Sequence, residues 1–311
     1  MKSNYRYIVK AFMAMAVIAG TTSCDDFLDR EPMSSISPET YYSTAAQLEA
    51  NLNDEYPNVL PSFGQWTYGI FGEDKGTDNQ IEVNANDRYT QDRWKVPHSE
   101  SDNWKFERIY RINFFLSEAL PKFGEDMSGS QNTISGSVAT IKHYIGEMYF
   151  LRAYEYFKKL QLFGDFPIIN QPLADEMEAL REASKRFPRN EVARFIISDL
   201  DKAYAYMSDV DMATTRINKD AAMLVKSRVA LFEATWLQNF KGTAFVPGGE
   251  GWPGASLHNN YQYPSGNIDN EVKYFLEQAV EASKLVADKY KGSLTENTGV
   301  LQQSADDPSN P

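Results

Sequence analysis

The chain of 311 residues carries a formal net charge of −12 at pH 7, and 13% of its residues are aromatic. This acidity argues against nucleic acid or an anionic membrane surface as a partner, because both require a basic face. A single cysteine excludes an intramolecular disulfide, and His98, His143 and His258 are too far apart for a histidine–cysteine metal motif, so we expect no metal or other cofactor.

The N-terminus has the pattern of a signal peptide followed by a lipid-attachment cysteine. Three basic residues accompany the apolar run 11–20, which is about half of the 20 residues that a membrane-spanning helix needs. Small residues then lead into Cys24, the only cysteine, and a leftover cysteine in an exported chain needs an explanation. We therefore expect a thioether-linked lipid on Cys24. The alternative is that this cysteine is incidental to the signal peptide.

Helical periodicity begins only after an acidic tether that is also rich in serine and proline. We expect three parts in the chain: a signal peptide over 1–23, the tether over 24–40 and a helical domain over 41–311.

The first half of this domain contains three predicted helices. The first covers 43–59, where Pro57 ends the apolar pattern. An irregular segment rich in glycine, proline and aromatic residues follows over 60–103, and its length indicates a functional or disordered loop. Apolar residues again recur at the helical period over 104–120 and 138–163.

Helical patterns continue in the second half. Helices are predicted over 190–207 and 218–236, each with its first asparagine as the N-cap, and an irregular loop over 240–267 precedes a last helix over 272–290. In the second of these helices one face carries Ala221, Leu224, Arg228, Leu231 and Thr235.

The predicted fold class is all-α. Alanines at interior positions of the helices after residue 190 let neighbouring helices approach closely, as tetratricopeptide-type hairpins require. We therefore expect stacked helical hairpins with long irregular loops. Glu147 and Arg152 lie on the longest predicted helix, and for both we expect a structural ion pair or cap rather than a site.

Five groups of short motifs, taken in order, resemble a known family. They are CDDFLDREP at 24–32, YRIN at 110–113, EMYFLRAYEYF at 147–157 with FGDFP at 163–167, DLDKA at 199–203, and RINKDAA at 216–222 with KSRVAL at 226–231. In this order they resemble the SusD/RagB family, the surface glycan-binding lipoproteins of Bacteroidetes. The resemblance spans nearly the whole chain after Cys24.

The resemblance implies a tetratricopeptide-like scaffold in the outer membrane, anchored by lipid and facing outward. It implies a partner transporter of the SusC type, a TonB-dependent barrel that this protein would cap. It also implies that Asp25, Asp26 and Asp29 help to route the lipoprotein to the cell surface. Family members usually continue well beyond the point where this chain stops, so we expect a truncated or fragmentary C-terminus.

Catalysis is not indicated by the sequence. No GxSxG, P-loop or HExxH pattern occurs, and acidic pairs are expected by chance among 43 acids. We therefore expect a protein that is not an enzyme. Glycoside hydrolysis by two carboxylates stays open as an alternative.

Glycan binding needs flat aromatic rings together with planar hydrogen-bonding side chains. The 60–104 region carries both kinds, and the 240–267 loop adds Trp252 with Tyr261 and Tyr263. The candidate ligand-binding residues are Trp66, Asp78, Arg88, Tyr89, Trp94, Trp104 and Trp252. The alternative for each ring is packing of a loop onto the helices, most of all for Trp104, which opens a predicted helix.

These observations lead to one hypothesis and one rival of a different class. We expect a non-catalytic, lipid-anchored protein that binds oligosaccharide or polysaccharide at the mouth of a transporter. The rival is a structural lid of that transporter, with a peptide ligand or none.

Overall fold

The computed structural model describes residues 41–61, 103–124, 126–208, 212 and 215–293. These residues form seven α-helices and one short 3-10 helix, with no strand in the described ranges. The α-helices are α1 (Ala45–Val59), α2 (Glu107–Phe123), α3 (Val138–Phe163), α4 (Met177–Ala183), α5 (Arg189–Tyr206), α6 (Lys219–Asn239) and α7 (Ile268–Tyr290), and the 3-10 helix is Pro253–Ser256. The all-α, tetratricopeptide-like prediction is confirmed.

Helix α3 is the centre of the structure. Seventeen of its 26 residues are buried, because α1, α2 and α5 pack against it from different sides. A helix buried on most of its circumference has little amphipathic contrast, as expected for a central core helix. Every position predicted on its core face is buried: Ile141, Ile145, Tyr149, Ala153, Tyr156 and Leu160.

The helices α5, α6 and α7 form consecutive antiparallel pairs. Arg189 at the start of α5 pairs with Glu233 near the end of α6, at 2.9 Å between Nη2 and Oε2. Asp220 at the start of α6 pairs in the same way with Lys289 at the end of α7, at 2.7 Å. These opposed ends show the alternating direction that stacked helical hairpins require.

The predicted helix ends agree with the structure at two places and differ at one. Pro57 lies exposed within the last turn of α1, which ends at Val59 as predicted. Asn190 is not an N-cap, because α5 begins at Arg189 and the Asn190 side chain is fully buried, donating to Glu271 at 3.0 Å. Asn218 does cap α6, accepting the Ala221 N–H at 2.9 Å, as predicted.

The orientation of α6 also differs from the face that the sequence pattern suggests. Leu224 and Leu231 are 52% and 50% exposed, so the face that they share points away from the core. The buried face instead contains small alanines and two charged residues, Lys226 and Glu233. Each of these charged residues has an ion-pair partner: Asp201 for Lys226 and Arg189 for Glu233. A hydrophobicity pattern predicts charged residues to be exposed, so it does not indicate this buried face.

Glu147 and Arg152 on α3 each take part in a structural ion pair, as predicted, but with other helices and not with each other. Arg152 donates two hydrogen bonds to Asp199 on α5, at 2.6 and 2.8 Å. Glu147 accepts two from Arg216, at 2.8 and 2.6 Å, just before α6 begins. These pairs tie α3 to the second half of the chain. Among the described helices, none combines the length and the apolar character needed to cross a bilayer.

Candidate functional site

A cavity of about 470 Å³ opens where the C-terminal end of α3 meets the start of α5, the end of α6 and the loop between α6 and α7. Its size falls within the range of about 300–1,000 Å³ that is usual for small-molecule sites. We refer to it as the α3-end cavity. Its rim is apolar and open to solvent at Leu162, Phe245 and Leu257, which are 57%, 61% and 53% exposed.

The floor of the α3-end cavity is organised by Asp165, just after α3. Helix α3 ends at Gly164, whose φ of +67° turns the chain in a conformation that glycine adopts easily. The Asp165 carboxylate then accepts the backbone N–H of Arg189 at 2.8 Å and the indole N–H of Trp252 at 2.7 Å. Asp165 thereby joins α3, α5 and the loop after α6, and its burial raises the pKa of this carboxyl group.

One wall of the cavity consists of Trp236 and Phe245. The indole N–H of Trp236 donates to the backbone carbonyl of Phe245 at 3.0 Å, which holds the exposed Phe245 ring beside the helix. The guanidinium of Arg189 lies over the Trp236 ring, 4.1 Å from its centre. The wall is therefore aromatic, and a cation stacks on one of its rings.

Two tryptophans predicted as ligand-binding residues lie in the described part of the chain, and both adjoin this cavity. Trp252 lines it but is only 5% exposed, with its ring packed against His258 and Tyr261. That burial favours the packing interpretation for Trp252 over the interpretation as an open glycan platform.

Trp104 lies beside the same cavity and precedes α2 rather than opening it. Its ring packs edge-on against Phe163 and Phe166, each at 4.9 Å between centroids. The guanidinium of Arg186 covers it at 4.6 Å from the ring centre. Trp104 therefore supports two cavity-lining residues, Phe163 and Arg186.

The other predicted site residues lie outside the described residues. They are Cys24, Trp66, Asp78, Arg88, Tyr89 and Trp94.

Sequence reasoning missed five residues that build the cavity. Asp165 belongs to the FGDFP motif, and a polar residue directly after a helix-ending glycine is a signal that could have drawn attention to it. The two arginines and the aromatic wall carry no comparable signal, since only the fold brings them together. The five are Asp165, Arg186, Arg189, Trp236 and Phe245.

The arrangement is suited to binding rather than to acid–base chemistry. Apolar and aromatic surfaces can contact the C–H face of a sugar ring, and the guanidinium groups can donate to its oxygen atoms. Asp165 is the one carboxylate that lines the cavity within the described ranges, and both of its oxygens already accept N–H donors.

The family model and the curated relatives that match this chain carry the same family name. A SusD-like family model, described as starch-binding and associating with the outer membrane, matches residues 26–231. Two relatives from Formosa agariphila, SusD-like proteins P25 and P2, are each 25% identical to this chain, over 233 and 253 residues. The matches cover 69% and 78% of this chain but 41% and 46% of the relatives. The chain thus spans less than half the length of these curated relatives.

Solved structures that resemble part of this chain carry related names. A SusD-like carbohydrate-binding protein from Bacteroides vulgatus is 14% identical with a TM-score of 0.43, covering 80% of this chain and 45% of that one. A SusD-like protein from Bacteroides fragilis is 18% identical with a TM-score of 0.42, covering 68% and 39%. A laminarin-binding SusD-like protein is 20% identical with a TM-score of 0.34, covering 43% and 26%.

Proposed function

The chain belongs to the SusD-like family, and on this premise we propose that it binds oligosaccharide or polysaccharide without cleaving it and delivers it to a SusC-type TonB-dependent transporter. The observation that carries the proposal is the α3-end cavity, where an exposed phenyl ring at Phe245 and two guanidinium groups line one opening. The aromatic wall offers stacking to a sugar ring, and the arginines offer hydrogen bonds to its oxygens.

The absence of cleavage is proposed from the charges in the cavity. Hydrolysis by the usual mechanism needs two carboxyl groups on either side of the glycosidic bond, about 5–9.5 Å apart. In the described part of the chain the cavity has one, Asp165, which is engaged with Arg189 and Trp252. The expected role is therefore retention of the sugar.

The membrane location follows from the same proposal. The family model is described as associating with the outer membrane, and we propose that a lipid on Cys24 anchors this chain there with its helical domain facing outward. A tether next to a transporter raises the effective concentration of ligand at its mouth, so modest affinity for glycan is enough. The candidate residues of the 60–104 region, Trp66, Asp78, Arg88, Tyr89, Trp94 and Trp104, stay part of the proposal as further contacts.

The binding function is tested by screening the purified protein against a broad glycan panel, followed by calorimetry on each hit. Binding to at least one glycan, without release of new reducing ends during long incubation, would support the proposal. New reducing ends would instead indicate a hydrolase. Binding to no glycan, together with co-purification of a barrel partner, would favour the structural lid.

The anchor is tested separately by labelling cells with palmitate. The wild-type protein should incorporate label and sediment with membranes, whereas Cys24→Ala should do neither. A Cys24→Ala protein that stays membrane-bound would contradict lipid anchoring at this residue.

A further inference from the structure

Arg186 brings a positive charge to the α3-end cavity. It lies between α4 and α5, its side chain is exposed, and it lines the cavity while its guanidinium stacks on Trp104. Among the residues that the structure describes, it has no ion pair and donates no hydrogen bond. Stacking uses only the flat face of a guanidinium, so its N–H groups stay free to donate in the plane.

Arg189 adds a second donor from the floor. Its side chain is 4% exposed, and Glu233 accepts hydrogen bonds from Nε and Nη2, at 2.9–3.1 Å. Within the described ranges, nothing accepts a hydrogen bond from the remaining nitrogen, Nη1. Gly164 also lines the cavity, and a β-carbon at that position would lie 3.5 Å from Nη1, so this nitrogen faces the cavity edge at Gly164.

The two arginines differ in what their guanidinium groups already bind. Glu233 is fully buried and pairs with Arg189, whereas within the described ranges no carboxylate pairs with Arg186. Both oxygens of Asp165, the carboxylate that lines the cavity in this part of the chain, already accept N–H donors. The exposed Arg186 guanidinium is thus a positively charged donor that an anion can pair with, even in a chain with a formal net charge of −12.

We propose that the α3-end cavity selects sugars that carry a carboxylate, such as uronic acid residues, over neutral sugars, with Arg186 as the residue that recognises the carboxylate. A guanidinium matches a carboxylate with two parallel N–H donors, and such charge-assisted pairs are about twice as strong as neutral hydrogen bonds. The aromatic wall of Trp236 and Phe245 would contact the ring of the same sugar. The acids elsewhere on the surface oppose the ligand only weakly, because charges beyond about 8 Å are screened at physiological salt.

This inference rests on the proposed glycan-binding function. Pairs of acidic and uncharged oligosaccharides distinguish a failure of the inference from a failure of the proposed function. The probes are oligogalacturonate, oligoalginate and glucuronoxylan oligosaccharides, each paired with its carboxyl-reduced counterpart, which keeps the linkages and loses the charge. Calorimetry on the purified protein should show at least one acidic oligosaccharide binding about tenfold or more tightly than its reduced partner, a preference of about 1.4 kcal/mol.

Arg186→Gln should remove that preference, because it should weaken binding of the acidic oligosaccharide about tenfold more than binding of the reduced one. The matched control is Arg181→Gln on α4, an exposed arginine that does not line the cavity, and this variant should keep the preference. The unfolding temperature of both variants shows whether either change disturbs the fold.

Equal affinity for acidic and reduced oligosaccharides would overturn the inference and leave the proposed function intact. A preference for the acidic form that survives Arg186→Gln would overturn the role of this residue. Binding to none of these probes, nor to any glycan of the broad panel, would overturn the proposed function itself and the inference with it.

Discussion

Arg152 on α3 and Asp199 on α5 form a buried two-point ion pair, with N–O distances of 2.6 and 2.8 Å. The Arg152 guanidinium also donates to Asn113 on α2 at 2.9 Å, so a single side chain links three helices. Both members of the pair are at most 4% exposed, which makes each one dependent on the other.

Asp199→Asn is expected to lower the free energy of unfolding by about 3–5 kcal/mol, because it leaves the charge of Arg152 buried without its counter-charge. Urea denaturation followed by circular dichroism measures the loss. The control is Asp269→Asn, which breaks the exposed pair with Lys241 and should cost less than about 1 kcal/mol. Equal losses in the two variants would contradict the structural importance of the buried pair.

Gly146→Ala should destabilise the packing of α3 against α5. A β-carbon at this position would lie 2.8 Å from the backbone nitrogen of Met207 and 3.0 Å from the carbonyl oxygen of Ala203, and neither backbone atom can give way easily. Overpacking of this kind costs about 1–3 kcal/mol, more than the gain of up to about 1 kcal/mol in helix propensity.

Gly292→Ala is the control for this substitution, since a β-carbon there meets nothing within 4 Å. Thermal unfolding should show a lower midpoint for the Gly146 variant and little change for the Gly292 variant. An unchanged midpoint for Gly146→Ala would mean that the two helices are not in such close contact.

Trp252→Phe removes the indole N–H that donates to Asp165. We expect a loss of about 1–3 kcal/mol in the free energy of unfolding, because a partly buried carboxylate oxygen is left without its donor. Trp236→Phe makes the same chemical change at an exposed hydrogen bond, where water can replace the indole, so it should cost less. The reverse order in chemical denaturation would contradict the assignment of Asp165 as the organising residue of the cavity floor.

Glu271 should stabilise the folded protein more at neutral pH than in acid. Burial alone would raise its pKa, but hydrogen bonds from Arg194, Asn190 and Ser265 hold the pKa below its ordinary value of 4.5. The ionised carboxylate therefore stabilises the folded state above about pH 4.5, and this contribution is lost as the pH falls through the folded-state pKa. The advantage of wild type over Glu271→Gln should be largest near neutral pH and shrink in acid.

Glu55 should show the opposite pH dependence of stability when wild type is compared with Glu55→Gln. Burial raises its pKa, although the guanidinium of Arg111 opposes this effect, so the carboxyl group is harder to ionise in the folded protein than in the unfolded chain. Relative to Glu55→Gln, the wild type should lose stability as the pH rises through the folded-state pKa. Identical pH profiles for the two variants would contradict both assignments.

Much of the scaffold could be predicted from the sequence, because the apolar period of α3 and α5 reflects their packing directly. All five positions predicted on the core face of this helix are buried: Val192, Ile196, Leu200 and Ala203 on α5, and Met207 directly after it. The orientation of α6 could not be predicted in this way, since its buried face includes Lys226 and Glu233, whose partners lie on other helices.

The cavity could not be predicted from the sequence, because residues that are far apart along the chain form it. The sequence indicates Trp104 and Trp252 as candidate sugar contacts, but the exposure of each ring depends on residues far along the chain, such as Phe163 for Trp104 and Asp165 for Trp252. Arg186 belongs to no sequence motif, and it stands out only because the fold places it beside Trp104 at the cavity, where it has no ion-pair partner among the described residues.

Phe245→Ala tests most directly whether the α3-end cavity holds the glycan. Phe245 is 61% exposed on the cavity rim, and Tyr110 on α2, which is 51% exposed and does not line the cavity, supplies the matched variant Tyr110→Ala. Calorimetry with any glycan that the wild-type protein binds should show Phe245→Ala weakening affinity by about tenfold, equal to about 1.4 kcal/mol, and Tyr110→Ala leaving it within about twofold. Unchanged affinity in Phe245→Ala would place the glycan elsewhere and contradict the account.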